Sequence, residues 1–452
     1  MEQMRIEEII SAVNGHAPDF DAGLVIEHIS TNSKLAQGSS LFFALQGERF
    51  DGHTFIDDFY SNGGRAVITQ QKPSRRNEIA VKDTLLALGG LARHYRDKFT
   101  MPLVGITGSV GKTSTRSMIA GVLSAAGPTH STRSNMNNDI GLPMTLFSLE
   151  ASHQYAVIEM GMNHAGEISY LSKIAKPGVA VITNIGTAHI GNLGSREAIL
   201  HAKLEILDGL APGGVIILNG DDERLYGARD RIAHRAVFYG IDNDQCDYRA
   251  HDIAIGSNGS SFSFRDEGRI EVPAPGRHHI YNALAAVAVG TELGIPFETI
   301  REGISRFESG DMRQEIIDLG GVKLIEDCYN ANADSMKSAL EVLSSLRPAG
   351  RKIAVLGDMY ELGEFTEAEH RRVGSYAAAA RVDLLVTVGE LATTIAEQAA
   401  LEGVEAISFG NNEAAAAYLQ IVLAQGDVVL FKASRGARFE EISRGVKGFL
   451  GS

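Results

Sequence analysis

At 452 residues the chain exceeds one ordinary domain, length alone predicts about three, and a 44% hydrophobic content is ample for packed cores. The net charge of −14 speaks against a nucleic-acid backbone as the main partner, because phosphate binding needs clustered Lys and Arg. Cys246 and Cys328 lie far apart without metal-ligand spacing, so neither a disulfide framework nor a zinc site is expected.

The N-terminus, MEQMRIEEII, carries acids where a signal peptide needs a basic start and an apolar core, and no run of 18 or more apolar residues occurs. The expectation is a soluble, cytoplasmic monomer with no membrane insertion and no nucleic-acid partner. Residues 1–82 mix short strands (SLFFAL, RAVIT) with glycine turns and read as a small α/β domain. From about 83, TLLALGGLARHYRDKF reads as an amphipathic helix. Strands (MPLVGIT, YAVIEM, VAVITNI, GVIILNG) then alternate with helices (TRSMIAGVL, REAILHAKLEILDGL), the pattern of a parallel sheet covered on both faces; this second domain is assigned to 83–310. A further series (VKLIEDC, KIAVLGD, DLLVTVG, DVVLFKA), with helices near 334–346, 367–380, 390–401 and 438–449, predicts a Rossmann-like third domain at 311–452. The fold class is therefore α/β in three domains.

The most specific segment is GITGSVGKTST, Gly105 to Thr115. A strand, a glycine turn and a helix start gather backbone N–H groups and the positive end of a helix dipole around one point, which suits a phosphate chain. Gly108, Ser109, Gly111, Lys112, Thr113 and Ser114 are the candidate contacts: Lys112 as a point charge on the terminal phosphates, the Thr113 hydroxyl as a magnesium ligand. Ile106 stands where the general phosphate-loop pattern has glycine. Glu159 ends the strand YAVIEM, where a carboxylate can hold magnesium opposite Thr113 or simply face solvent.

His189, in the glycine-bounded loop TNIGTAHIGNLG, suits a metal or a phosphate, or is an ordinary hydrogen-bonded loop histidine. Lys203 reads as a helix lysine with its stem on apolar surface. Asn282, in GRHHIYNALAA, reads as opening a helix, where it would serve as an N-cap. Arg313 (DMRQEI) and Asp327 (IEDCYNANADSM) begin the third series, and Asp327 ends a strand, where a carboxylate can reach a ribose.

These segments together resemble the Mur ligases of bacterial peptidoglycan synthesis. The phosphate loop is similar to that family's, which accounts for Ile106. STRSNMNNDIGLPMTL, AVIEMGMNHAGEISYL, TNIGTAHIGNLGS, YNALAA, EDCYNANADSM and VLGDMYELGE look like the members that add D-alanyl-D-alanine. ISTNSKLAQGSSLFFALQGERFDGHTFI is similar to the family's UDP-binding domain, so the likeness extends over nearly the whole chain. Ala333 and Ala433 depart from it, standing where relatives often carry proline and glycine.

The resemblance implies ATP- and Mg2+-dependent joining of UDP-N-acetylmuramoyl-tripeptide to D-alanyl-D-alanine through an acyl phosphate. It assigns Lys112 to the β and γ phosphates, and Thr113 with Glu159 to a first magnesium. A second goes to His189 and to Lys203 as a carbamate. Asn282 is placed near adenine, Arg313 near the phosphates and Asp327 at the ribose. Asn137, Asn138 and Asn330 are assigned to the peptide substrates, and Ser33, Gln46, Gly47, Asp51 and His53 to the UDP moiety. Closure of the central and C-terminal domains about hinges near Gly310 and residue 82 would assemble the site. The competing readings are another amide ligase of this architecture, such as a tripeptide-forming Mur ligase or a folylpolyglutamate synthase, and a nucleotide-dependent switch that ligates nothing.

Overall fold

A computed structural model describes residues 1–47, 50–310 and 312–451. Asp311, where the third domain is expected to start, lies outside them.

Near the N-terminus four parallel strands, His28–Ser30, Ser40–Phe43, Ala66–Thr69 and Glu78–Ala80, form one sheet. The middle two are buried at every position, as strands covered on both faces require. The helix Thr84–Arg96 follows, its first turn capped by the Asp83 carboxylate, which accepts from Leu85 and Leu86 N–H. Its apolar stripe of Leu88, Leu91, Ala92 and Tyr95 is wholly buried. The Tyr95 hydroxyl donates to Leu149 O at 2.6 Å, tying this helix to the next unit.

The large sheet runs in the order Thr129–Ser131, Tyr155–Glu159, Leu103–Thr107, Val179–Ile182, Val215–Asn219, Arg235–Gly240, Tyr248–Ile255, Ser260–Phe264, Gly268–Val272. The first seven are mutually parallel, and the last two extend the seventh as antiparallel strands. Leu103–Thr107, first of the parallel strands in the chain, lies between Tyr155–Glu159 and Val179–Ile182. The chain therefore reverses its direction of travel across the sheet there, opening a crevice at the strand's carboxyl end.

The helix Lys112–Ala126 leaves that crevice and packs closely against Phe297–Ser305. The approach depends on glycine: a Cβ on Gly303 would lie 2.4 Å from Val122 Cα, and one on Gly121 2.8 Å from Gly303 O. Backbone cannot yield as a side-chain tip can, so Gly303→Ala is expected to cost about 1–3 kcal/mol of stability, measured by urea unfolding.

The third sheet has the order Glu315–Leu319, Val322–Glu326, Val428–Lys432, Lys352–Gly357, Leu384–Val388, Glu405–Phe409, with only the first strand antiparallel. The expected helices are present as Ala333–Ser345, Thr366–Ala379, Thr393–Leu401 and Glu440–Leu450. Ala333 is the first helical residue, the position where proline is also favoured, and Asn332 with Ser335 forms a capping box ahead of it. Among the described residues no helix is long and apolar enough to cross a membrane. Both cysteines are free thiols.

Candidate active site

The phosphate loop is held open by the neighbouring strand end. Ser109 N donates to Asn184 O at 3.1 Å and Val110 N to Asn184 Oδ1 at 3.0 Å, while Thr183 Oγ1 donates to Val110 O at 2.6 Å. Gly108 has φ 152° and a Cβ there would lie 1.9 Å from Thr183 Oγ1; Gly111 caps the helix at φ 83°. Glycine is thus required at both. Ile106, by contrast, lies inside the strand and is fully buried, which is why no glycine stands there.

The first-turn N–H groups of Lys112, Thr113 and Ser114 have no acceptor among the described residues. They border a cleft of about 590 Å³ together with Ser109 and Gly111. Lys112 folds back so that Nζ donates to Gly108 O at 2.7 Å. Enclosure of the ammonium lowers its pKa, opposed by Glu159 and helped by Arg313.

Glu159 is 2% exposed. Register places it beside Ile106, at the carboxyl edge of the sheet. Its Oε1 accepts from Asn137 Nδ2 at 2.8 Å, and Oε2 lies 3.3 Å from Arg116 Nη1, the guanidinium of a buried residue one helical turn beyond Lys112. Asn138 also lines the cleft, and its Oδ1 accepts from Gly141 N at 2.8 Å. Among the described residues no three His, Cys, Asp or Glu side chains converge on a metal position.

Residues of the third sheet close the cleft from the other side: Arg313, Asp327, Asn330 and Lys432 all line it. Val322–Glu326 and Val428–Lys432 are adjacent and parallel, so Asp327 and Lys432 meet at the carboxyl edge, Nζ to Oδ2 at 2.7 Å. Burial pushes the Asp327 pKa up, against the lowering pull of Lys432 and Arg313. The Arg313 guanidinium stacks 4.1 Å from the Tyr329 ring centroid. Lys432 Nζ also donates to Asn330 O at 3.1 Å.

Asn282 requires a correction. It does not open a helix: the helix runs Arg277–Glu292, capped by Gly276, and Asn282 lies buried inside it. Its Oδ1 accepts from Thr115 Oγ1 at 2.9 Å, and its Nδ2 has no partner while lining the cleft. The N-cap account therefore fails, and a buried amide donor is left without a partner beside the crevice instead.

His189 lines the same cleft in a left-handed conformation, φ 62°. Its Nδ1 is 2.8 Å from Glu361 Oε2 of the third unit, within ion-pair range, although the ring N–H is not aimed straight at the oxygen. Lys203 is not a lining residue. It is buried at 1% exposure, and burial followed by the nearby Lys112 charge holds its pKa well below the ordinary lysine value. No hydrogen bond or ion pair among the described residues compensates its amine.

The five N-terminal candidates lie apart from this cleft. Gln46–Gly47 pairs with Phe50–Asp51 as a small antiparallel ladder. The Asp51 carboxylate accepts from His53 N at 3.0 Å and faces His53 Nδ1 at 2.6 Å, which holds its pKa below the usual range. Ser33 is buried, its carbonyl accepting from Asn62 Nδ2 at 3.4 Å. Arg116, Lys432 and Asn184 were not singled out by sequence.

Family models match along the chain: "Mur ligase family, catalytic domain" at 25–96, "Mur ligase middle domain" at 106–290 and "Mur ligase, glutamate ligase domain" at 312–435. The UDP-N-acetylmuramoyl-tripeptide--D-alanyl-D-alanine ligase of Bacillus subtilis is 39% identical over 427 residues, with 92% of each chain covered. The chain belongs to the Mur ligase family. Among solved Mur ligases, MurF from Acinetobacter baumannii superposes with a TM-score of 0.93 at 34% identity, covering 99% of both chains. MurF from Thermotoga maritima in complex with ADP gives 0.84 at 29% identity, covering 94% of this chain and 97% of that one.

Proposed function

We infer that this Mur ligase joins D-alanyl-D-alanine to UDP-N-acetylmuramoyl-tripeptide at the expense of ATP, giving the pentapeptide precursor of peptidoglycan. The observation that carries the chemistry is one cleft bordered by three acceptor-free helix N–H groups, a lysine and a buried carboxylate on one side, and by Arg313, Asp327 and Lys432 on the other. The substrate comes from the relatives: proteins 34–39% identical to this chain over nearly its full length carry that ligase name.

A carboxylate is a poor acylating agent. Transfer of the γ-phosphoryl group onto it, with ADP leaving, creates a mixed anhydride. The dipeptide amine then attacks the acyl carbon, loses a proton and expels phosphate. The protein's work in the first step is positioning and charge neutralisation. Gly108, Ser109, Gly111 and the N–H groups of Lys112, Thr113 and Ser114 cradle the β and γ phosphates, and Lys112 Nζ leaves Gly108 O for them. Arg313 approaches the phosphates from the third domain, Asp327 takes the ribose hydroxyls, and the free Nδ2 of Asn282 donates to the adenine.

The donor set fits magnesium, which keeps several waters and binds through one or two carboxylates plus phosphate oxygens. Glu159 and the Thr113 hydroxyl would hold one ion and His189 a second, and the ions would neutralise charge on the transferring group. Lys203 suits modification because burial, and then the nearby Lys112 charge, disfavour its ammonium form; adding CO2 with loss of a proton makes a carbamate anion beside Lys112. Asn137, Asn138 and Asn330 orient the peptide substrates, and Ser33, Gln46, Gly47, Asp51 and His53 take the UDP end.

We take 1–82, 83–310 and 311–452 as the domains because each holds one of the three larger sheets, and cleft closure between the latter two would keep water from the anhydride. The test is phosphate release with and without D-alanyl-D-alanine, followed by product mass. Release that requires the dipeptide, with a product heavier by one dipeptide less water, is expected. Dipeptide-independent release would return the choice to a switch or another ligase.

A further inference from the structure

The loop carrying His189 meets the third unit through two facing glycines. A Cβ on Gly191 would lie 2.7 Å from Glu361 O and Gly363 N, and one on Gly363 3.1 Å from Gly191 Cα. Gly191 N donates to Glu361 O at 3.2 Å. This contact brings together two non-glycine residues that are both left-handed, His189 at φ 62° and Glu361 at φ 64°. A left-handed backbone is uncommon for glutamate and less so for histidine, and here the close approach of the two glycines accompanies both. His189 Nδ1 is shut off from water at this junction, with Glu361 Oε2 at 2.8 Å. The Glu361 side chain is 55% exposed, so the pair adds little to stability. An enforced backbone and a desolvated nitrogen around an energetically minor pair point to orientation of the histidine.

We propose that Glu361 is a positioning residue, delivered by the C-terminal domain, that takes the Nδ1–H of His189 and leaves Nε2 free to ligate metal in the cleft. Nδ1 and Oε2 stand 2.8 Å apart without hydrogen-bond alignment, so the proposed bond requires a small turn of the ring. Glu361 is not among the residues that line the cleft. It makes a competent His189 conditional on contact between the two domains, in the manner of carboxylates that orient metal-bound histidines elsewhere. The inference rests on the reading of His189 as a metal ligand.

Histidine-selective 15N NMR of the full-length, metal-free protein, with His189 assigned by difference from His189→Gln, tests the orientation without activity. The Nδ1-protonated tautomer is expected in the parent, lost in Glu361→Ala and kept in Glu361→Gln. Alongside it, the Mg2+ concentration for half-maximal rate should rise about 10-fold or more in Glu361→Ala and largely recover in Glu361→Gln. Unchanged His189 shifts in Glu361→Ala, or a lowered melting temperature as its sole effect, would overturn the proposal while the metal reading stands. Full turnover in His189→Gln would overturn both.

Discussion

Lys112→Ala is expected to lower turnover by about 10³-fold, with circular dichroism and melting temperature near those of the parent. The charge is directed at the phosphates and not at the fold. Its partners are the carbonyls of Gly108 and Ser109, both within its own loop. Removing the side chain leaves the loop's anchors to Thr183 and Asn184 intact. Nucleotide binding should weaken far less than kcat falls, because the backbone N–H groups still face the phosphates and the lost charge matters most as the γ-phosphoryl group moves. Glu159→Gln is a suitable companion: it keeps a polar group against Asn137 and Arg116, whereas alanine would strand the buried Arg116. Near-normal turnover in both variants would remove the phosphate and metal assignments together.

Lys203→Met is expected to abolish most turnover and at the same time to stabilise the protein. The amine is buried without a compensating partner and its folded pKa is depressed by burial and by Lys112. Below the ordinary lysine value of about 10.4, and down to the depressed folded value, the unfolded chain binds a proton that the folded chain refuses. Stability in that window therefore rises with pH, and at neutral pH the lysine is a cost to the fold. Methionine fills the same space without the amine, so urea unfolding in CO2-free buffer should show a gain of about 1–3 kcal/mol. A loss of stability would mean that the amine has a partner when folded. Full activity would show that no carbamate is needed there.

The phosphate loop was legible because its glycines answer to local requirements: φ at Gly111, and φ with the approach of Thr183 at Gly108. The parallel strands were legible as apolar runs, and Glu159 and Asp327 as acids at strand ends. Asn282 was misplaced because the helix begins five residues earlier, at Arg277; the Pro275-Gly276 pair, a turn signal, marks that start. The strand Glu315–Leu319 likewise went unread although Gly320-Gly321, both at positive φ, signals a hairpin. Other features depend on tertiary order. Lys432 faces Asp327 only because the last strand of the third sheet inserts beside its first parallel one. The burial of Lys203 and the meeting of His189 with Glu361 come from packing between units distant in sequence, which no local pattern encodes.

On the proposed function, this cleft activates a substrate carboxylate by phosphorylating it. The most direct measurement is a single-turnover reaction with UDP-N-acetylmuramoyl-tripeptide labelled with 18O in its terminal carboxylate, in the presence of ATP, magnesium and D-alanyl-D-alanine. Transfer of one labelled oxygen to the released inorganic phosphate, equimolar with the amide formed, is the expected result. Amide formation with unlabelled phosphate, or with the label in AMP, would contradict it.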